Sequence, residues 1–450
     1  MSDTLMISVS GVRGLVGTDL TPEFVARWAA AFGTLVRATG ARIVVLGRDS
    51  RTSGAMFARA AEAGLASVGC TVVHCGVVPT PTVQLAVEHH HAGGGIVITA
   101  SHNPVEWNAM KFVGADGLFL DVETARRVRT LAETGEVPRA GWDGLGEIHD
   151  DALAAKRHVD AVLALPVVDT KAIRARRLAI ALDAVRGAGG AIMTDLLERL
   201  GCKVVGMDLE PDGRFPRAPE PIPENLSGLA ALVQKTGADL GMAVDPDVDR
   251  LAVVDGTGRP IGEDWTLALA VDTVLRRSPG PVVVNLSTSL VVDDAARRHG
   301  CTVSRAPVGE ANVARAMRAA KATIGGEGNG GVMYAPLHLG RDAPVAAALV
   351  LDWLAGAAGT LADRVQALPS YRIIKAKTPR GADLARAYDR LASRYPDAQA
   401  DRQDGLRLGW ADRWVHLRPS GTEPIVRMIA EAPTAAQAME LVAAARDALA

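Results

Sequence analysis

Short apolar runs rich in Val, Ile and Leu alternate with longer stretches of helical period over most of the chain. This is the pattern of α/β units with largely parallel, buried sheets. Ile43–Leu46 reads as a strand, Ser53–Val68 as a helix, Thr71–His74 as a strand, Thr80–His90 as a helix and Gly95–Thr99 as a buried strand. Leu178–Asp183 with Ala191–Leu200, and Val282–Leu286 with Ser289–His299, repeat the opening strand-and-helix pair. Polar groups just beyond the strand ends are the first place to look for chemistry.

A small signature recurs in step with these units: Gly69-Cys70-Thr71-Val72, Gly201-Cys202-Lys203-Val204 and Gly300-Cys301-Thr302-Val303. Each copy follows a helix and opens a strand, and a further helix and strand come after it, so the unit occurs three times. Beyond the third strands stand ITASHNP, AVDPDVDR and IGGEGNGG, three different polar loops in one equivalent place. After Leu368 the pattern changes. Tyr371–Ala376, Leu406–Trp410, Trp414–Leu417 and Val426–Ala430 read as strands, and Ala382–Ser393 and Thr434–Leu449 as helices, giving a smaller α+β domain with antiparallel strands. The predicted domains are 1–150, 151–256, 257–367 and 368–450, the first three α/β with mixed, largely parallel sheets.

Composition narrows the function. With 450 residues, 48 % hydrophobic and 22 % charged, large cores are expected and disorder is not. Lys+Arg 49 against Asp+Glu 51 leaves a net charge of −2, so no global positive field gathers nucleic acid or anionic lipid, and 4 % aromatics are too few for a stacking platform. The four cysteines, Cys70, Cys75, Cys202 and Cys301, lack metal-ligand spacing and disulfide density, which fits a reducing compartment. The start has no basic segment followed by an apolar run, and the apolar stretch Val345–Gly359 is interrupted by Asp352. A cytoplasmic protein is expected.

The loops carry the candidate chemistry. Asp245-Pro-Asp247-Val-Asp249-Arg250 places three carboxylates at alternate positions, which an extended chain aims to one side. Such a cluster repels itself unless a hard divalent cation joins it, and Mg²⁺ fits better than a calcium hand, whose sixth position would be Gly rather than Arg250. The bland alternative is a solvated acidic turn. Thr99-Ala-Ser101-His102-Asn103-Pro104 leaves a hydroxyl at the end of a buried strand, a place for a nucleophile, although no G-x-S-x-G elbow marks a hydrolase. His102 there is a loop-fixing hydrogen bonder in preference to a base, and Lys111 offers a cation or a proton acceptor. Gly326, Gly328 and Gly331 match G-x-G-x-x-G, but Glu327 lies inside the turn and the following residues look extended, so a turn presenting Glu327 and Asn329 to sugar hydroxyls is preferred. In Arg418-Pro-Ser420-Gly421-Thr422-Glu423 a guanidinium, two hydroxyls and backbone N–H groups can surround a phosphate, with Arg427 as a second cation. Arg13 and the segment Gly47–Arg51 are further cations for the same cleft.

Together these motifs resemble the α-D-phosphohexomutase family over essentially the whole chain and in the family's order. The resemblance implies four domains around a central cleft and a phosphate carried on Ser101. It implies one Mg²⁺ per chain held by Asp245, Asp247 and Asp249 with the Ser101 phosphate, a sugar loop with Glu327 and Asn329, and a phosphate loop of Arg418, Ser420, Gly421 and Thr422, joined by Arg427. Arg13, Lys111 and Arg250 are implied in phosphoryl transfer and His102 in substrate binding. The implied reaction moves a phosphate between C6 and C1 of a hexose through a hexose 1,6-bisphosphate, which also serves as activator, in a monomer or homodimer. Trp107 and Ala109 replace the Tyr and Gly of many relatives, Asn329 replaces a common Ser, and Gly331 stands where several subfamilies place a His, leaving the general acid/base unassigned. The sugar loop and Ala306–Val313 look most like the archaeal-type phosphoglucosamine mutase branch and its bacterial relatives. That points to glucosamine phosphate, with dual glucose and mannose specificity as the alternative. A silent sugar-phosphate sensor and a nicotinamide oxidoreductase are the competing classes.

Overall fold

The computed structural model describes residues 4–8, 11–381, 383–420 and 425–449. The recurring Gly-Cys signature turns out to be a helix C-cap. Gly69, Gly201 and Gly300 take φ of +78°, +77° and +68°, a left-handed conformation that glycine adopts without strain. In each copy the cysteine N–H donates to the carbonyl five residues earlier, Cys70 to Leu65, Cys202 to Leu197 and Cys301 to Ala296, at 3.1, 3.0 and 3.0 Å. The helix is thereby closed and the chain turned into the next strand. All four cysteines are free, and burial pushes the Cys70, Cys75 and Cys202 thiols up to about 11, 12 and 11, so these three are inert packing groups.

The triplication extends to the sheets. In the second unit the order is Leu251–Asp255, Leu240–Val244, Ala179–Asp183, Lys203–Met207, and in the third it is Gly331–Tyr334, Ile324–Glu327, Val282–Asn285, Val303–Ala306. The last three strands of each run parallel and the first pairs antiparallel with its neighbour. The first unit has the same four at its heart, Trp107–Gly114, Gly94–Ile98, Ile43–Arg48 and Thr71–Val77. Met6–Ser8 and Gly11–Leu15 extend it antiparallel and Ile148–Asp150 extends it parallel. Each polar loop is thus the turn of the one antiparallel hairpin in its repeat. C-terminal to these units, Arg372–Pro379, Ile425–Ala432, Trp414–Pro419, Leu406–Gly409 and Gln399–Asp401 form an antiparallel sheet in that order, covered by helices Leu384–Arg394 and Ala435–Leu449.

The second and third units share one apolar core running from Val159 to Val365, whereas the C-terminal sheet has its own around Leu391, Leu417 and Met428. Helix Ala343–Ala355, buried on nearly all sides, is the centre of the shared core. Its Asp352 is tied by Arg276 and Arg277 and accepts the Asp169 N–H. No helix among the described residues is long and apolar enough to cross a membrane. The carboxylate-rich turn is stitched to all its neighbours: Thr80 N–H donates to Asp247 O, Ala188 N–H to Pro246 O and Ala343 N–H to Val248 O, at 2.9, 2.8 and 3.2 Å.

Candidate active site

Ser101 follows strand Gly94–Ile98 in a turn with φ +49°, a conformation that costs a non-glycine residue about 1–3 kcal/mol and needs its surroundings to hold it. Its N–H donates to Thr99 Oγ1 at 2.9 Å, and Thr99 Oγ1 donates to Asp49 Oδ2 at 2.6 Å. The Ser101 hydroxyl, 3 % exposed, donates to Asp245 Oδ2 at 3.0 Å across the junction of the first two units. His102 Nδ1 is 3.4 Å from the same Oγ. Burial, followed by the charges of Arg250 and Arg13, holds His102 well below the ordinary histidine range, so the ring is neutral at pH 7.

The three aspartates converge, though not along an extended chain. Val248 N–H closes a turn onto Asp245 O at 3.1 Å, Val248 itself takes φ +61°, and the Asp249 and Arg250 N–H groups point at Asp245 Oδ1. One oxygen from each of Asp245, Asp247 and Asp249 lies within 4.8 Å of the others, and all three residues are 0 % exposed. Lys111 Nζ and Thr80 Oγ1 each donate to Asp247 Oδ2 at 2.7 Å. Asp247 Oδ1 and Asp249 Oδ1 are buried without a hydrogen-bond partner. Burial and then the charges of Asp249 and Asp247 push the Asp245 carboxyl well above its ordinary range. At Asp247 burial acts upward too, but the Lys111 charge and the bonds from Lys111 and Thr80 outweigh it and hold the group low. An all-oxygen set with two unmatched buried oxygens suits a hard divalent cation.

Cations surround this cluster. Arg250 donates to Glu220 Oε1 at 3.0 Å and its Nε lies 3.7 Å from Asp249 Oδ1. Arg13 donates to Asn103 Oδ1 at 2.6 Å, and burial lowers it to about 10, still charged at pH 7. Arg51 does not join them: it turns inward beneath the Ser101 turn, with none of its side chain exposed.

The glycine-rich turn is tied to the aspartates through Arg341, whose guanidinium bridges Asp249 Oδ2 and Glu327 Oε2 (2.6 Å to the latter), with Glu310 Oε2 3.2 Å from Nε. Glu327 also accepts from Asn285 Nδ2 and Gly309 N–H, both at 2.9 Å. Burial raises its carboxyl, but the Arg341 charge and these bonds prevail and keep it ionised. Asn329 Oδ1 accepts the Gly331 N–H at 3.2 Å, bracing the turn. A Cβ on Gly331 would sit 2.3 Å from Arg341 Cδ, so a side chain at 331 and Arg341 compete for one volume.

In the C-terminal sheet Arg418 and Arg427 face each other across one ladder, and Ser420 N–H closes onto Ile425 O at 2.8 Å. Gly421 and Thr422 lie outside the described residues. Arg418 Nε donates to Asp404 Oδ2 at 3.0 Å, which also accepts Val308 N–H at 3.2 Å, next to the Gly309 that bonds Glu327. The structure therefore gathers Ser101, Lys111 and the aspartates directly, and links Arg418 to Glu327 through Asp404 and the 308–309 backbone. Sequence reasoning missed Arg341, Asp404, Thr80 and Glu310. Only Arg341 carried a signal, as a charged residue directly before the N-cap Asp342 of a helix that is apolar but for Asp352.

Four family models match in succession: the phosphoglucomutase/phosphomannomutase α/β/α domain I over residues 5–138, domain II over 156–258, domain III over 262–371 and the C-terminal domain over 373–448. The chain is 40 % identical over 436 residues to a phosphoglucomutase/phosphomannomutase of Thermococcus kodakarensis, covering 96 % of this chain and 95 % of that one. It is 37 % identical over 437 residues to a Methanopyrus kandleri protein named "Probable phosphoglucosamine mutase", with 96 % and 95 % covered. A crystal structure of a phosphoglucomutase/phosphomannomutase family protein from Burkholderia thailandensis superposes with a TM-score of 0.85 at 28 % identity, covering 99 % of this chain and 98 % of that one.

Proposed function

The chain belongs to the phosphoglucomutase/phosphomannomutase family, and from that premise we propose that it interconverts hexose 6-phosphate and hexose 1-phosphate with Ser101 as the phosphate carrier and glucosamine phosphate as the preferred sugar. The observation that carries the reading is the Ser101 hydroxyl 3.0 Å from Asp245, beside a buried aspartate cluster with two unmatched oxygens. Asp245, Asp247 and Asp249 would hold one Mg²⁺, which when bound offsets negative charge on phosphoryl oxygens.

The side chains divide the remaining work. Phosphorylated Ser101 gives its phosphoryl group to a sugar hydroxyl: the bond to Oγ breaks and one to the sugar oxygen forms. The resulting hexose 1,6-bisphosphate turns over and returns its other phosphate to Oγ, so protons balance over the cycle. Lys111, Arg13 and Arg250 stand as fixed cations around the transferring oxygens, already oriented by Asp247, Asn103 and Glu220. Glu327, kept ionised by Arg341, and Asn329 meet sugar hydroxyls. Neutral His102 offers the substrate a hydrogen bond, and Arg418, Ser420, Gly421 and Thr422, with Arg427, hold the phosphate that is not reacting. Burial of the reacting groups keeps water from intercepting the phosphoryl group.

The Thermococcus relative's name supports a second reading, dual specificity for glucose and mannose phosphates. Free thiols and a phosphorylated small-molecule substrate favour the cytoplasm, and we place the domain boundaries near 150, 256 and 367, in a monomer or homodimer. The test is side-by-side turnover of glucosamine, glucose and mannose monophosphates with Mg²⁺ and a trace of hexose bisphosphate. Preference for glucosamine phosphate supports the first reading and comparable rates on glucose and mannose the second. No turnover on any of them overturns both in favour of a sugar-phosphate sensor.

A further inference from the structure

A guanidinium has five N–H donors, and every one on Arg51 is engaged. Nε donates to Asp49 Oδ2 at 3.0 Å, Nη1 to the carbonyls of Pro104 and Trp107 at 2.7 and 2.9 Å, and Nη2 to those of Ser101 and Asn103, both at 2.7 Å. Four of the five acceptors are therefore backbone oxygens of the Ser101 turn and its exit. The fifth closes a ring, because Asp49 also accepts from Thr99, which in turn accepts the Ser101 N–H. The left-handed Ser101 is held on both its N–H and its carbonyl by one buried network.

The second unit covers this network. The Phe215 ring centroid is 5.0 Å from the Arg51 guanidinium carbon, and Ser50 Oγ donates to Arg186 O at 2.7 Å. Gly213, at φ +70°, passes so close that a Cβ would lie 2.2 Å from Ser50 O and 2.8 Å from Arg51 Cα. The unit that supplies Asp245 thus packs on the residue that aims Ser101 at it.

Resting on the mutase reading above, we propose that Arg51 is a positioning residue for phosphoryl transfer: it fixes the Ser101 turn by its carbonyls and touches neither substrate nor the transferring phosphate. Lysine at this place keeps the charge but has three donors on one atom and cannot span four carbonyls and a carboxylate.

The experiment uses the full chain. Wild type is first incubated with Mg²⁺ and glucose 1,6-bisphosphate, and phosphate on Ser101 is counted by intact mass and peptide sequencing. If wild type acquires none, the carrier reading itself fails, separately from the role of Arg51. Given a phosphorylated wild type, Arg51→Lys should take up phosphate about 100-fold more slowly, with kcat falling equally and sugar-phosphate affinity by calorimetry within about threefold. Arg51→Ala should recover at least about tenfold when methylguanidinium fills the vacated site. Near wild-type kcat in Arg51→Lys, or a loss confined to affinity, overturns the proposal. So does an Arg51→Lys protein that is unfolded by circular dichroism together with an Arg51→Ala protein that methylguanidinium does not reactivate, since Arg51 would then be a stability residue only.

Discussion

The Ser101 turn and the Arg418 hairpin are both read as phosphate sites, yet they are built in opposite ways. Around Ser101 the groups that hold the turn and the cluster are committed before substrate arrives, Arg51 to five acceptors, Thr99 to Asp49 and Lys111 to Asp247, and the two unmatched aspartate oxygens are left for a cation. The Arg418 hairpin belongs to a sheet with its own core, and it meets the third unit through a polar seam. There His416 Nδ1 lies 2.8 Å from Ser287 Oγ, and Glu431 accepts from Ser289 Oγ and from Leu290 N–H. On the proposed reading, the contrast is between a place where bonds would be exchanged, which requires fixed geometry, and a place that would grip and release the other phosphate, which a unit with its own core can do.

Mutations that strike the fixed half should cost turnover. Ser101→Ala should lower kcat by on the order of 10⁴-fold or more while sugar-phosphate affinity by calorimetry holds, and substantial residual turnover would remove Ser101 as the carrier. Asp247→Asn should lower kcat by about 100-fold and raise the Mg²⁺ concentration needed for half-maximal rate. An unchanged Mg²⁺ titration would break the ligand assignment. In the gripping half, Arg418→Ala should raise KM by about 10–100-fold, the worth of a charge-assisted bond, with kcat little altered. Equal losses of kcat in both halves would erase the distinction.

The smallest effect tests the seam itself. Burial lowers His416 from 6.5 to about 4, against partial support from the Asp404 carbonyl. Between those values the unfolded chain takes up a proton that the folded seam refuses, so stability is present above pH 6.5 and is lost as pH falls toward 4. The loss is up to about 3 kcal/mol. Urea unfolding followed by Trp414 and Trp410 fluorescence at pH 7 and pH 4.5 reads it, and His416→Asn should flatten the difference.

What the sequence made legible follows the range of each interaction. Helices, strands and the Gly-Cys caps are local, so the three repeats could be read from spacing. The aspartate cluster was visible because its members are two residues apart, although a tight turn with Val248 at positive φ brings them together where an extended chain was expected. Arg51 was expected in the cleft and lies beneath it, because its four carbonyl acceptors are 50 to 56 residues away in the chain. Arg341 bridges Asp249 across a separation of 92 residues, and its place before a helix N-cap does not say which carboxylates it meets. The first sheet also departs from a largely parallel one, with as many antiparallel ladders as parallel, since the N-terminal hairpin extends it on the far side of Trp107–Gly114.

The hairpin common to the three repeats bears on how such a molecule can diversify. Its turn spans residues 99–106 in one copy, 245–250 in the next and 328–330 in the third, while the strands beneath keep the same neighbours. Insertions and deletions at that spot leave every ladder intact, so a lineage can rewrite one chemical instruction at a time. A chimaera that exchanges only residues 328–330 and their support at 341 with those of a kindred enzyme should inherit the donor's choice of sugar on an unaltered chassis.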